Sequence, residues 1–464
     1  MTRGSSAPAV IAPSRIRRLV RGILSTAFAL ALARQGLLMC THVRPPAVDL
    51  PQHAAVARSE GVRRLGRSHV KTHGGILQVV LEGSPEEIGW AHASLLREEM
   101  IENETALWSV LDEVVPSPVA RMAVLDVSRW AFRDLDRRYS APRKREIAAA
   151  ATALLPDPFE ERMPTWQRLL FLNALYDVSL FYEHSPLIGC SSVVVSGARA
   201  VDGHTLLARN FDFETHEVFD RGKAVIVVRE EGRVPFLSVA WPGLVGVVTG
   251  MNARGVSIVV HGARARSPVT DGEPALLTVR EALSRAGSTA EAATILAAAP
   301  PMVSHMVLVT DPSGDTRVVE RAPGVPAHVR SETRDVSLSN HFEGPLAADP
   351  ANLAIFRNTS TKARRLRLAS ILSRLPTPVS PTDLANVLRD RSGADDLPLP
   401  DGDRRAIDAD IATHAVVMDA SARRVWVSEG PHLRGRFVRF DLERILSPAY
   451  DPEIEDVIDP IAAR

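Results

Sequence analysis

Cysteine is nearly absent from this chain: Cys40 and Cys190 are the only two in 464 residues. Two cysteines cannot build a disulfide framework or a cysteine-rich zinc centre. The fourteen histidines show no HExxH-like ligand spacing, so no metal and no cofactor are indicated. Net charge is lacking too. Fifty-five basic and fifty-five acidic residues cancel, which gives no support for nucleic acid as the main partner. Aromatics are scarce at 5% and say nothing about a pocket. What is present is ordinary: 45% apolar and 24% charged residues suit a soluble protein with a substantial core. The length allows two or three domains, or one large layered domain with an extension.

The N-terminus differs in character. Arg15, Arg17, Arg18 and Arg21 precede the apolar run Gly22 to Ala33, and Ala31-Leu32-Ala33 has the pattern of a cleavage site. The run is short for a transmembrane helix and Arg34 interrupts it. An export signal, an uncleaved membrane anchor and a plain basic extension all stay open. Residues 1–52 are read as a targeting segment and linker, 53–189 as a helical N-terminal part, and 190–464 as a catalytic part.

From Leu77 to Leu187 the pattern is mainly helical. Ser84 is an N-cap, followed by Pro85 at the first helical position with Glu86 and Glu87 in the first turn. Further helices are expected over Val119–Tyr139, Lys144–Leu155 and Trp166–Tyr182. At Cys190 the texture changes to short β-branched runs separated by turns such as Asp202-Gly203 and Asn252–Gly255, which predicts an antiparallel meander. Helix returns over Ala275–Ala299, Thr361–Leu375 and Pro381–Asp390. Strands return at Met306–Thr310, Arg317–Arg321, His414–Met418 and Arg424–Ser428. Blocks of hairpins separated by helices predict an α+β layered fold.

A cysteine in an apolar strand is ordinarily a small buried hydrophobe. Three features around Cys190 point elsewhere. Gly189 precedes it, and glycine tolerates the strained backbone that an N-to-S acyl shift uses. Cleavage there would leave Cys190 as a new N-terminus, whose α-amine could serve as base for its own thiol. Arg209 and Asp212 lie one hairpin away. An Arg beside a thiol favours thiolate, and an Asp can hold an amine. Asn252 sits in a turn between two strands, where its amide could donate to an oxyanion. Each feature also has a bland reading: a surface ion pair for Arg209 and Asp212, a turn-former for Asn252.

Together, Cys190-Ser191-Ser192 at a strand start, "GHTLLARNFDFE" and "GLVGVVTGMNARGVSI" resemble the N-terminal-nucleophile (Ntn) hydrolases. The nearest pattern is the C45 group of acyl-coenzyme A:6-aminopenicillanate acyltransferases, related to choloylglycine hydrolases and acid ceramidase. "GSPEEIGWAHASLLREEM", "SHMVLVTDPSGDTRVVER" and "SLSNHFEGPL" extend the resemblance over Ile76 to Pro431. It implies a four-layer αββα sandwich of two stacked antiparallel sheets. It implies Cys190 as autoprocessing and catalytic nucleophile, cleavage after Gly189, and an αβ heterodimer from one precursor. Arg209 and Asp212 match the family's Arg and Asp, Asn252 its oxyanion Asn, and Asn340 a second Asn near the nucleophile. Arg364 matches a late Arg at the substrate site, with Arg365 as the neighbouring alternative. His341 is expected to pack or cap. The implied substrate is a small-molecule N-acyl amide or acyl thioester. Water or an amine as final acceptor would decide between amidohydrolase and acyltransferase.

Two other classes compete. One is a papain-like thiol hydrolase pairing Cys190 with His184, His204 or His261, which lacks the local signature of such a cysteine. The other is an exported, non-catalytic Ntn-like binding protein, for which absence of self-cleavage would be the mark.

Overall fold

Side chains alternate across a strand, and here that alternation sorts the apolar residues into three separate cores. The computed structural model describes residues 13–50, 55–182, 188–266, 271–333, 335–454 and 456–463. Eleven described strands form one sheet. It starts with a meander of Ala57–Ser59, Val62–Leu65, Ser68–His73 and Ile76–Gly83. Ile76–Gly83 then pairs in parallel with Ala224–Glu230. The sheet continues antiparallel through Phe236–Ala240, Thr249–Asn252, Ser257–Gly262, His305–Thr310, Thr316–Ala322 and Val325–Glu332. Six strands form the second sheet, in the spatial order Val336–Leu338, Ile188–Ser196, Thr205–Phe213, Ala412–Asp419, Arg424–Ser428 and Phe437–Asp441.

One core lies between the sheets. Val80, Val227, Leu237, Val259 and Leu308 of the large sheet meet Val194, Leu207, Val416 and Val427 of the small one. A second core packs the outer face of the large sheet, with Val79, Leu81, Val228, Ile258 and Val307, under the N-terminal helices. A third packs Val193, Val195, Ala208 and Val417 of the small sheet under Leu368, Leu372, Leu384 and Leu388. Helix, sheet, sheet, helix is the expected αββα sandwich.

Most expected helices are found, shorter or divided. Pro85–Leu95 starts at a capping box in which Ser84 and Glu87 satisfy each other's backbone N–H groups, a device worth about 1 kcal/mol. Trp166–Tyr182 divides at Ala174 into Thr165–Asn173 and Leu175–Tyr182. Ala275–Ala299 divides into Ala275–Leu283 and Thr289–Ala298. Arg34 interrupts the apolar run but not the helix. Pro13–Cys40 is one continuous helix, and its stretch Val20–Cys40 has the length and apolarity of a membrane span. Signal sequences share those properties. Arg34 forms an ion pair with Asp126, 2.8 Å away, on the helix Pro118–Ala131.

Asp177 ties Leu175–Tyr182 to the large-sheet layer. Its carboxylate accepts the Ala275 N–H at 3.0 Å, at the start of Ala275–Leu283. Burial lifts its pKa to about 7, against the opposing pull of that hydrogen bond and of Arg321 and Arg138. The folded state thus holds a proton that the unfolded chain releases near pH 4. Stability from this group is full below that pH and is lost as pH rises toward 7, at up to about 1.4 kcal/mol per pH unit. Asp177→Asn keeps an acceptor for Ala275 and removes the titration. Urea melts between pH 4.5 and 7.5 are expected to show a smaller decline for the variant; parallel curves would contradict this account.

Candidate active site at Cys190

Register decides which side chains meet here. Ile188–Ser196 pairs antiparallel with Thr205–Phe213, setting Cys190 opposite Phe211, Gly189 opposite Asp212 and Ser192 opposite Arg209. By alternation, Cys190, Arg209 and Phe211 face the space between the sheets, while Ser191 and Asp212 face the helices outside the small sheet.

Arg209 is fully buried and held from several sides. Its Nη2 donates to Cys190 Sγ at 3.2 Å and to the Val260 carbonyl at 2.9 Å. Its Nη1 donates to the Val248 carbonyl at 2.8 Å and to Thr249 Oγ1. The guanidinium also sits 4.5 Å from the Phe211 ring centre. This is no surface ion pair: the charge is aimed at sulfur by carbonyls of the opposite sheet.

Asn340 and Arg364 hold the backbone of Cys190. Cys190 N–H donates to Asn340 Oδ1 at 2.7 Å. Arg364, on the helix Thr361–Arg374, donates from Nη1 to the Cys190 carbonyl at 2.5 Å and to Ser191 Oγ at 3.0 Å. Its Nη2 donates to Asn340 Oδ1 at 2.8 Å. Arg365 points elsewhere, to Glu343 at 2.8 Å, so Arg364 is the arginine that reaches Cys190.

Asp212 lies against the Gly189 backbone. A Cβ on Gly189 would stand 2.9 Å from Asp212 Oδ2. Gly189 has no positive φ and continues a regular strand, so the expected strain is replaced by a need for space beside the carboxylate. Burial raises the Asp212 pKa, and Arg364, Arg404 and Arg209 oppose that rise. Its Oδ1 accepts no hydrogen bond among the described residues.

The expectation for Asn252 needs correcting. Its Nδ2 donates to the Leu283 and Ala286 carbonyls at 2.9 and 2.7 Å. Its Oδ1 accepts the Arg254 and Val256 N–H groups. Both amide hydrogens are spent on holding the turn, whose Gly255 takes φ +81°, so none is left for an oxyanion. The histidines do not serve the thiol either. His261 Nε2 lies 2.8 Å from Ser192 Oγ, and burial, with Arg209 and Arg364 near, depresses its pKa well below the usual value. His204 bonds Asp419, and His184 lies outside the described residues. His341 packs on Phe356 and bonds Thr361. Among the described residues, the Sγ hydrogen-bond partners are Arg209 and the Val260 carbonyl, which leaves no thiol–imidazole pair.

An apolar cleft that opens to solvent adjoins this centre. Met100, Leu107, Leu169, Leu172 and Tyr176 line it from the N-terminal helices, and Phe211, Phe213, Trp241 and Leu276 from the part after Cys190. Phe211 connects the cleft to Cys190, its strand partner. Tyr176 carried no signal in the sequence, since it stands in an apolar helical stretch like any core aromatic. The same holds for the Val248 and Val260 carbonyls that orient Arg209.

The family described as acyl-coenzyme A:6-aminopenicillanic acid acyl-transferase matches residues 199–434, just over half of the chain. The match begins after Cys190 and takes in Arg209, Asp212, Asn340 and Arg364. An uncharacterized protein of Archaeoglobus fulgidus is 23% identical over 254 residues, covering 50% of this chain and 41% of its own length. The chain therefore spans less than half of that curated relative. Among solved structures, a Caenorhabditis elegans N-acylethanolamine-hydrolyzing acid amidase ortholog gives a TM-score of 0.38 at 14% identity, over 50% of this chain and 93% of that one. Penicillin V acylase from Agrobacterium tumefaciens gives 0.41 at 17%, over 55% and 87%. A mutant conjugated bile acid hydrolase from Clostridium perfringens gives 0.40 at 12%, over 55% and 92%. The chain belongs to the acyl-coenzyme A:6-aminopenicillanic acid acyl-transferase family, within the Ntn hydrolases.

Proposed function

We propose that this protein is a self-cleaving N-terminal-cysteine amidohydrolase or acyltransferase acting on N-acyl amides or acyl thioesters whose acyl group is apolar. The observation that carries this reading is the convergence of Arg209, Asn340 and Arg364 on Cys190 beside an apolar cleft. Maturation starts with Sγ attacking the Gly189 carbonyl carbon. The Gly189–Cys190 C–N bond breaks, the nitrogen takes the thiol proton, and a thioester forms. Water hydrolyses it, freeing a Gly189 carboxylate and the thiol and α-amine of Cys190. The parts before and after this bond are then separate chains. The unpaired Asp212 Oδ1 is the acceptor for the new amine.

In turnover the α-amine takes the thiol proton, and sulfur, with Arg209 Nη2 donating to it, attacks the substrate carbonyl. The leaving amine departs with that proton, and water or a bound amine releases the acyl group from sulfur. The N-terminal helix Pro13–Cys40 supports export or membrane attachment.

The acyl assignment is tested with anilide substrates from acetyl to dodecanoyl. The value of kcat/KM is expected to rise about three- to fourfold per added CH2 until the cleft is full, as about 0.8 kcal/mol per buried methylene requires. Leu172→Arg, in the cleft wall, is expected to flatten that series. Equal rates for acetyl and dodecanoyl substrates would remove the acyl-pocket role of the cleft.

A further inference from the structure

With the Asn252 amide spent on its turn, the donors for an oxyanion must come from elsewhere. Asn340 Nδ2 gives one hydrogen to the Gly262 carbonyl at 3.1 Å and, among the described residues, keeps another. Tyr176 is buried, and its hydroxyl has no hydrogen-bond partner among the described residues. Both atoms look into one gap. A Cβ built on Gly262 would lie 3.7 Å from Tyr176 Oη, 3.8 Å from Asn340 Nδ2 and 3.9 Å from Leu180 Cδ2. The same Asn340 amide accepts the Cys190 N–H through Oδ1 at 2.7 Å, and the carbonyl of Val260, two residues before Gly262, lies 3.8 Å from Cys190 Sγ. Through Asn340 the gap lies beside the Cys190 backbone.

We infer that Tyr176 Oη–H, with the free Asn340 Nδ2–H, binds the oxyanion formed when Cys190 attacks an acyl carbon, in space kept open by the missing side chain of Gly262. The inference rests on the reading of Cys190 as nucleophile. Buried hydroxyls without partners are uncommon in folded proteins, and an oxyanion supplies the partner that this one lacks. Burial holds the phenol pKa well above its usual value, so the proton stays available for donation. Asp177, the next residue, anchors the helix to Ala275 and fixes the ring's position. Tyr176 precedes the proposed cleavage point. The N-terminal chain therefore supplies a catalytic group and has to stay bound after cleavage.

The test uses the full chain and 4-methylumbelliferyl dodecanoate. Attack by Sγ forms an acyl thioester and expels methylumbelliferone, whose release gives the acylation rate. Iodoacetamide alkylates the same thiol with no tetrahedral oxyanion and reports intrinsic reactivity. Tyr176→Phe is expected to slow acylation about 10²-fold, with alkylation changed less than about twofold. Gly262→Ala meets only ordinary van der Waals distances, so it folds, fills the gap and slows acylation in the same way. Circular dichroism melts check both variants for folding. Acylation of Tyr176→Phe at the wild-type rate, or an equal slowing of acylation and alkylation, overturns the role of Tyr176 alone. A wild-type protein that alkylates but never acylates overturns the nucleophile reading and this one together.

Discussion

Expression of the chain is expected to yield two polypeptides, the second beginning Cys-Ser-Ser-Val, whereas Cys190→Ala yields one. Intact mass and N-terminal sequencing read this directly. The attacking atom and the attacked bond belong to adjacent residues, so proximity removes most of the entropic barrier. Arg209 donates to the sulfur at 3.2 Å, and the Cys190 N–H and carbonyl are both held, by Asn340 and Arg364. The backbone is thus immobilised on both sides of the atom that moves. Alanine removes the thiol while leaving the hydrogen bonds of that backbone intact, so the variant is expected to fold and stay whole. Gly189→Ala tests the neighbouring space. Its Cβ would press on Asp212 at 2.9 Å, and cleavage is expected to slow without stopping. A wild-type chain that stays uncut after purification and is not labelled by the dodecanoyl ester would return Cys190 to the status of a packed core thiol.

Glu146→Ala is expected to be the most destabilising change outside the site. Glu146 is 1% exposed and accepts from Arg143 and, at 2.8 Å, from Arg280. Glu230 accepts from the same two arginines. Removing one carboxylate leaves two buried guanidinium groups sharing the other. Breaking a buried ionic set in this way costs about 3–5 kcal/mol, which for a chain of this length corresponds to a fall in Tm of about 3–5 °C. The four residues also straddle the proposed cleavage point. Arg143 and Glu146 precede it, whereas Glu230 and Arg280 follow it. After cleavage this set joins the two chains without a covalent bond, and burial protects it from salt. The wild-type fragments are expected to co-elute in size-exclusion chromatography, and the variant's N-terminal fragment to separate. A Tm within about 1 °C of wild type would show that the four charges are already solvated or that the site collapses without cost.

Much of this was legible in residue order because local chemistry wrote it there. Ser84-Pro85 followed by Glu87 announces a helix start through its own hydrogen bonds. Asp202-Gly203 places a tight turn, and from that turn the pairing of Cys190 with the Arg209 region follows by counting. Strands with few apolar residues were missed. Val325–Glu332 is an edge strand with much of its length exposed, so neither alternation nor a β-branched run marks it. The Asn252 assignment failed for a related reason. A turn asparagine shows where its backbone goes but not which carbonyls surround its amide, and those belong to the helix end at Leu283 and Ala286, some thirty residues away.

By itself the sequence determined the layered α+β plan, the position of the candidate nucleophile at a strand start, and the arginine one hairpin from it. Each depends on periodicity or on contacts close along the chain. Only the tertiary structure decided that Arg364 and not Arg365 reaches Cys190, that Asn252 is occupied, and that Tyr176 looks into the gap at Gly262. Those outcomes depend on which groups from distant segments compete for the same donor or the same space, and a linear order of residues does not contain that competition.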